Sequence, residues 1–246
     1  KQNTIHSVLL MVDLGDLREG IYLEEELLEM ARLAEDLPGL HLLGIGTNLG
    51  CYGCVVPDEN NLSRLVTLAE KVEEEIGRKL ELISGGATSS LPLLLSGKMP
   101  KRINHLRIGE GILLARDLPE IWGVEIPGMS TENYILQAEV IEIKEKPSHP
   151  IGEIFVDAYG RRKTFENKGM QRRCLVALGE RDVGDFHALT PLLEGAVLLG
   201  ASSDHGILDI SAVEEDIQIG SIISFNLYYK AMMHAIESCS VNIIHC

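Results

Sequence analysis

Aromatic side chains are scarce: one Trp, six Tyr and four Phe make up 4% of 246 residues. The core must therefore be filled mainly by Leu, Ile, Val and Ala. Positive charge is scarce as well. Twenty-two Lys and Arg stand against 37 Asp and Glu, for a formal net charge of -15. Nucleic-acid binding needs clustered cations, and the one short basic run, Arg161-Arg162-Lys163, reads as a solvated turn. No apolar run approaches the roughly 18 residues of a membrane helix. No signal-peptide pattern opens the chain, so a cytoplasmic protein is expected. The first residue is Lys1 rather than Met, which reads as processing or as a fragment. The five cysteines are odd in number and scattered, which argues against a disulfide framework and suits a reducing compartment. Cys51 and Cys54 form a C-x-x-C, but Cys174, Cys239 and Cys246 supply no second pair at zinc spacing. No metal is expected, and the two thiols read as incidental loop residues.

What is present is a change of pattern near Thr131. Before it, strands alternate with helices. Ser7 to Val12 is a short apolar run of the kind buried on both faces. Leu23 to Leu37 has helical spacing and stops at Pro38-Gly39. Leu40 to Thr47 reads as a second strand, Leu62 to Ile76 as a second helix, Leu80 to Ser84 as a third strand, and Ser89 to Leu95 as a short helix. Asn104 to Ile108 reads as a fourth strand, again with a short helix after it. Four such repeats imply parallel strands with right-handed crossovers. They equal half of a (β/α)8 barrel, and a doubly wound sheet is the competing arrangement. After Thr131 come short strands separated by turn residues: Ile135 to Ile143, Arg173 to Leu178, Ala196 to Leu199, Gly206 to Ile210 and Ile222 to Leu227. The fold class expected is therefore α/β: a partial (β/α)8 barrel over 1–130, a mainly β domain over 131–230, and a weakly patterned tail over 231–246.

In a parallel barrel the reactive groups follow the strands. After the third strand stands Ser84-Gly85-Gly86-Ala87-Thr88-Ser89-Ser90. Glycines admit a ligand close to the backbone, and free N–H groups at a helix start bind anions. Gly109 and Gly111 repeat the device after the fourth strand. Such turns read equally as tight turns whose hydroxyls cap a helix. Arg107, near the end of a buried strand, needs partners; a salt bridge to Asp13 is one reading. Arg18 follows the first strand and otherwise reads as a surface turn residue.

Met11 to Gly20 (MVDLGDLREG), Gly46 to Gly53 (GTNLGCYG), Ile83 to Ser90 (ISGGATSS), Leu106 to Arg116 (LRIGEGILLAR) and Leu199 to Ile210 (LGASSDHGILDI) together resemble the ornithine racemase branch of the alanine racemase family. Those are pyridoxal 5'-phosphate (PLP) enzymes. The resemblance runs from about His6 to about Tyr228. It implies a PLP-binding barrel and a β-domain. It implies that Arg107 faces the pyridine nitrogen and that Thr88, Ser89 and the Gly109 backbone hold the phosphate. By the same resemblance, Arg18 lies near the cofactor's phenolic oxygen and the substrate carboxylate, and Asn48 lies under the ring. Ser203-Asp204-His205 matches a segment that reaches the active site of the other subunit of a homodimer, which makes Asp204 and His205 the candidate catalytic residues.

Two departures stand out. The family's Schiff-base lysine lies on the first barrel strand, whereas these strands match the fifth to eighth. Lys71, Lys79, Lys98 and Lys101 all read as solvated. Pro150 to Tyr159 offers no clear counterpart of the family's tyrosine base; Tyr159 and Asp157 both stay open. The resemblance implies an amino-acid racemase that moves an α-proton between two bases, with ornithine as substrate, and inactivity of this chain without the lysine segment. Alanine racemase, a non-catalytic PLP carrier and an inactive half-barrel are the other readings.

Overall fold

The computed structural model describes residues 4–245 and divides at 129/130 into two units, each described by itself. The first begins with strand β1 (His6–Met11), helix α1 (Glu24–Asp36), strand β2 (Leu40–Gly46), helix α2 (Glu59–Ile76) and strand β3 (Leu82–Ser84). The three strands are parallel, in the order β1-β2-β3. Each helix buries one stripe. Leu27, Ala31 and Ala34 of α1 and Leu62, Leu65, Ala69 and Val72 of α2 follow the three- and four-residue spacing of a helical face. They pack with Leu42, Ile45 and Ile83 of the sheet in one apolar cluster. Three acidic residues open α1, where the helix dipole favours negative charge. Asp58 and Asn61 form a capping box at α2, and Gly77 ends that helix with a left-handed residue. Lys71–Glu24 (2.6 Å), Arg32–Glu75 (3.0 Å) and the Arg78–Glu35 pair lace the two helices at the surface.

The fourth strand expected over Asn104 to Ile108 is not a strand. It makes one parallel bridge, Ser84 to His105. The reason is the Asn104 side chain. Its Oδ1 accepts from Ile83 N (2.9 Å) and its Nδ2 donates to Glu81 O (2.8 Å). These are backbone groups that a full ladder would use. The backbone still tracks β3, since Gly85 N donates to His105 O (3.0 Å) and Arg107 N to Gly86 O (2.8 Å). A 3-10 turn (Thr88–Ser90) and helices α3 (Leu91–Leu95), α4 (Glu110–Leu113) and α5 (Asp117–Glu120) complete the unit.

The second unit is a six-stranded antiparallel sheet. It contains β4 (Ile135–Pro147), β5 (Met170–Val176), β6 (Leu189–Pro191), β7 (Val197–Ala201), β8 (Gly206–Asp209) and β9 (Ile222–Leu227), in the order β6-β9-β4-β5-β8-β7. Leu136, Ala138 and Val140 alternate inward along β4. Two of the few aromatics, Phe186 and Phe225, are fully buried and meet edge to face at 6.4 Å. Cys174 is core, its thiol pushed up to about 11 by burial. Helices α6 (Glu180–Val183) and α7 (Tyr229–Glu237) lie against one another. The first part of the tail, through Glu237, is thus helix α7, which buries Ala231, Met232 and Ala235; Cys246 lies outside the described residues. No described helix is long and apolar enough to cross a membrane.

Glu73 is a buried tie in the first unit. It accepts from Arg102 at 2.5 and 3.0 Å, from Lys79 at 2.7 Å and from Leu80 N at 3.1 Å. It thereby fixes α2 to the start of β3. The Arg102 bonds, helped by Lys79 and Leu80, outweigh burial and hold its pKa at about 2. Because the folded value lies below the ordinary 4.5, the stabilisation is complete above that value and lost as pH falls from 4.5 toward about 2. Glu73→Gln is expected to cost about 2–3 kcal/mol at neutral pH and nearly nothing near pH 2, measured by denaturant unfolding. An equal loss at both pH values would contradict this role.

Candidate functional site

The polar groups of interest gather where β1, β2 and β3 end. Val12 follows β1 and presents its carbonyl to Thr47 Oγ1, which donates at 2.9 Å. Thr47 follows β2 and is fully buried. Its carbonyl accepts from Arg107 Nη2 at 2.8 Å. The other arm of Arg107 donates to Ser84 Oγ at the end of β3. Ser84 Oγ also meets His105 Nδ1 at 2.9 Å. One line of hydrogen bonds therefore crosses the ends of all three strands and the segment beside them. Arg107 does not pair with Asp13. The Asp13 carboxylate turns back on its own loop and accepts from Gly15 N (2.8 Å) and Leu17 N (3.1 Å). The strand ends approach closely at Gly46: a Cβ there would lie 2.9 Å from Ser84 Cβ, while Arg107 Nη1 at 3.4 Å would be in ordinary contact.

Burial lowers the Arg107 pKa; Glu19 opposes that and Arg18 adds to it. Arg18 and Glu19, paired at 2.7 Å on the exposed part of the first loop, thus lie within electrostatic reach of Arg107. Arg107 remains a cation, half-desolvated and rigidly held.

The glycine-hydroxyl turns are joined to one another. Thr88 is buried, and its Oγ1 accepts from Gly111 N at 3.0 Å. Ser89 Oγ donates to Leu49 O at 2.9 Å, which ties the same turn to the loop carrying Asn48. Gly86 has a φ of +113, open to glycine and strained for other residues. The first amides of the 3-10 turn at Thr88 lack intrahelical acceptors by construction, as does the amide at Gly109, which caps α4. Thr88 and Ser89 thus make hydrogen bonds of their own, separate from the Arg107 line; the two sets adjoin where Arg107 N donates to Gly86 O at 2.8 Å, two residues before Thr88, and Gly109 stands two residues from the Gly111 contact. Asn48 is half-buried beside Thr47, with Nδ2 3.0 Å from Cys51 Sγ.

Sequence reasoning quoted three further residues without giving them a role. Thr47 and Ser84 are the last polar residues of their strands. Asp16 is nearly fully buried. It accepts from Gly50 N (3.0 Å), Cys51 N (3.3 Å), Tyr52 N (2.9 Å) and Val55 N (3.3 Å). Burial works against its charge, yet the amides of Tyr52, Val55, Gly50 and Gly53 outweigh it and hold the carboxyl below its ordinary value. A buried carboxylate is also found at Glu110. Its Oε1 accepts from Arg116 N and Asp117 N at 2.9 and 3.1 Å, while Oε2 has no hydrogen-bond partner. Asp117 is pushed up to about 6 by burial first and then by Glu110 and Glu120.

In the second unit, Ser203, Asp204 and His205 lie on an exposed loop between β7 and β8. The Asp204 carboxylate bonds Ser203 Oγ (2.5 Å) and Arg181 Nη1 (2.9 Å). Those two contacts, Ser203 first, hold its pKa below the ordinary carboxylate value. Asp157 is committed to Arg161, and Tyr159 is exposed.

Residues 1–117 match the alanine racemase N-terminal domain family. Over 236 residues the chain is 42% identical to the ornithine racemase of Acetoanaerobium sticklandii, covering 96% of this chain and 66% of that protein. It is 39% identical over 231 residues to the lysine racemase of Thermotoga maritima, covering 94% of this chain and 63% of that protein. The chain thus spans just under two thirds of the length of these curated relatives. Among solved structures, the D-threonine aldolase of Filomicrobium marinum superposes with a TM-score of 0.59 at 15% identity, covering 94% of this chain and 56% of that one. The alanine racemase of E. faecalis gives 0.57 at 15% identity, covering 96% and 62%. At that identity the structural likeness concerns the fold.

Asp16→Asn removes the negative charge that four amides share and turns one of the two accepting oxygens into an NH2 donor. It is expected to destabilise by about 2–3 kcal/mol and to speed hydrogen exchange at Gly50, Cys51, Tyr52 and Val55 above other loop amides. Unchanged exchange at those four positions would show that the loop does not hang on Asp16.

Proposed function

The chain belongs to the alanine racemase family through its N-terminal domain, and from that premise we propose that it is the cofactor-cradling part and β-domain of a PLP-dependent racemase of a basic amino acid, ornithine first. The observation that carries the reading is the hydrogen-bonded cluster at the strand ends. Ligand crevices lie at the C-terminal ends of parallel strands, and the groups gathered there are of both kinds PLP needs. Thr88, Ser89 and the amides at Thr88 and Gly109 suit a phosphate dianion. Arg107 suits the pyridine nitrogen. Both named relatives are racemases of basic amino acids, which favours that substrate class over alanine.

When bound, PLP supplies the electron-withdrawing ring that acidifies the substrate α-proton. The residues of this chain do the rest. Arg107 is always charged; against the ring nitrogen it would keep that atom unprotonated and moderate the withdrawal. Thr47 and Ser84 hold it against rotation. Arg18, on an exposed loop within electrostatic reach of Arg107, would meet the substrate carboxylate. Asn48 would lie against the bound ring. Asp204 and His205 lie on an exposed loop suited to the second subunit's site in a homodimer, with Asp204 ion-paired to Arg181 and His205 the proton-carrying member.

The loops after β1, β2 and β3, and the segment 106–116, contain no lysine. Lys71 and Lys79 are ion-paired at the surface, to Glu24 and Glu73. The covalent anchor and one proton-transfer base must then come from a segment carrying the family lysine. A positioned base alone is worth about 10²–10⁴ in rate.

The 246-residue chain, assayed with PLP, is expected to leave L-ornithine unracemised. Borohydride treatment of that mixture is expected to fix no PLP to Lys71, Lys79, Lys98 or Lys101. Joined to a segment bearing the family's strand-end lysine, the same chain is expected to racemise ornithine, with Arg107→Ala lowering kcat/KM at least tenfold. Racemisation by the chain alone, with PLP fixed to one of those four lysines, would contradict the assignment.

A further inference from the structure

The proposed racemase uses neither thiol of Cys51 and Cys54, although both sit in the loop that carries Asn48. Both are exposed and free. The chain bends at four consecutive residues, Gly50, Cys51, Tyr52 and Gly53. Four amides, at Gly50, Cys51, Tyr52 and Val55, converge on the single carboxylate of Asp16. These donors bracket both cysteines, so the loop is already folded back on itself while the thiols are separate. Gly53, between them, packs so tightly that a Cβ would lie 2.7 Å from the Asp16 carbonyl oxygen. Cys54 is held at a φ of +55, a left-handed conformation uncommon for a side-chain-bearing residue. Cys51 Sγ takes the Asn48 amide at 3.0 Å, and Cys54 Sγ donates to Tyr52 O at 3.8 Å.

We propose that Cys51 and Cys54 form a thiol–disulfide exchange site for small-molecule disulfides, and that its oxidation releases the Asn48 side chain from Cys51 Sγ. The Cys51 thiolate attacks one sulfur of the small disulfide; that S–S bond breaks and one thiolate leaves. The Cys54 thiolate then attacks the Cys51 sulfur of the mixed disulfide, and the second small thiolate leaves. The protein pair gives up two electrons and two protons, and the small disulfide becomes two thiols. Closing the ring costs little further chain entropy because Asp16 has already gathered the loop. Bonded to a second sulfur, Cys51 Sγ is no longer positioned to accept from Asn48. That a change at Asn48 matters to a cofactor rests on the function proposed above; the disulfide itself does not.

The purified 246-residue chain is equilibrated with glutathione buffers of rising disulfide content, quenched with N-ethylmaleimide, and read by intact mass and peptide mapping. The expected result is loss of two hydrogen atoms, with Cys51 and Cys54 joined and protected together and the loss reversed by dithiothreitol. Cys54→Ser is expected to stop at a glutathione adduct on Cys51. The side-chain amide resonances of Asn48 are expected to shift on oxidation of the unmodified chain. Full alkylation of both thiols across the series, or independent adducts with no joined pair, would overturn the exchange site. A joined pair with unmoved Asn48 resonances would overturn the coupling. No arm uses PLP, so failure of the racemase assignment leaves each outcome readable.

Discussion

A half-buried guanidinium with two committed arms governs the candidate site. Arg107 cannot shed its charge, and burial penalises that charge. Its donors must therefore be met, and they are met by Ser84 and by the Thr47 carbonyl. Through Thr47 the same line reaches Val12, and through Ser84 it reaches His105. The ends of β1, β2 and β3 and the segment after them are thereby fixed in one another's register by side chains, beyond what the short backbone ladders supply. Gly46 belongs to the same packing, since a Cβ there would press on the Cβ of Ser84, the residue that takes one arm of the guanidinium. A cation fixed in this way is preorganised toward whatever acceptor the strand ends receive.

The neighbouring turns depend on that line for their position and on buried acceptors for their shape. Thr88 holds Gly111, Ser89 holds Leu49, and Asp16 holds the loop from Gly50 to Val55. Glu110 sits under the Gly109 turn with one oxygen satisfied by the amides of Arg116 and Asp117. Thr88, Asp16 and Glu110 each cap backbone N–H groups with a side-chain oxygen, and Ser89 caps a carbonyl with its hydroxyl. The result is several amides and hydroxyls near one cation, an anion-receptive arrangement on a chain whose net charge is -15. Any anion received here would be attracted by local geometry against the overall field of the molecule.

Much of this was legible in the sequence where periodicity is strong. The runs at Ser7 to Val12, Leu40 to Thr47 and Ile222 to Leu227 coincide with strands to within a residue or so, and the two long helices begin and end near their Pro, Gly and Asp signals. The stretch from Asn104 to Ile108 was not legible. Its apolar residues suggest a strand, yet the amide of Asn104 captures the edge of β3. Strand β4 runs four residues past its alternating portion, where Glu145 stands opposite Arg172, an opposite-charge pair that hydrophobic patterning does not register. Strand β6 is three residues long and ends in Pro191, too short for any pattern. At the site, Arg107 and Thr88 were visible as residue types that need an explanation. Asp16 was not, because its four partners lie more than thirty residues away and donate through backbone, which carries no residue signature.

The central claim is that the strand ends receive PLP through Thr88, Ser89, Gly109 and Arg107. Amide resonance mapping during titration of the chain with PLP tests it most directly, because it needs neither turnover nor a covalent anchor. The account predicts saturable shifts concentrated at the backbone amides of Thr88, Ser89 and Gly109 and at the Arg107 side chain, with the second unit's β5 amides unmoved. Saturable shifts clustered elsewhere, or none at those four residues, would contradict it.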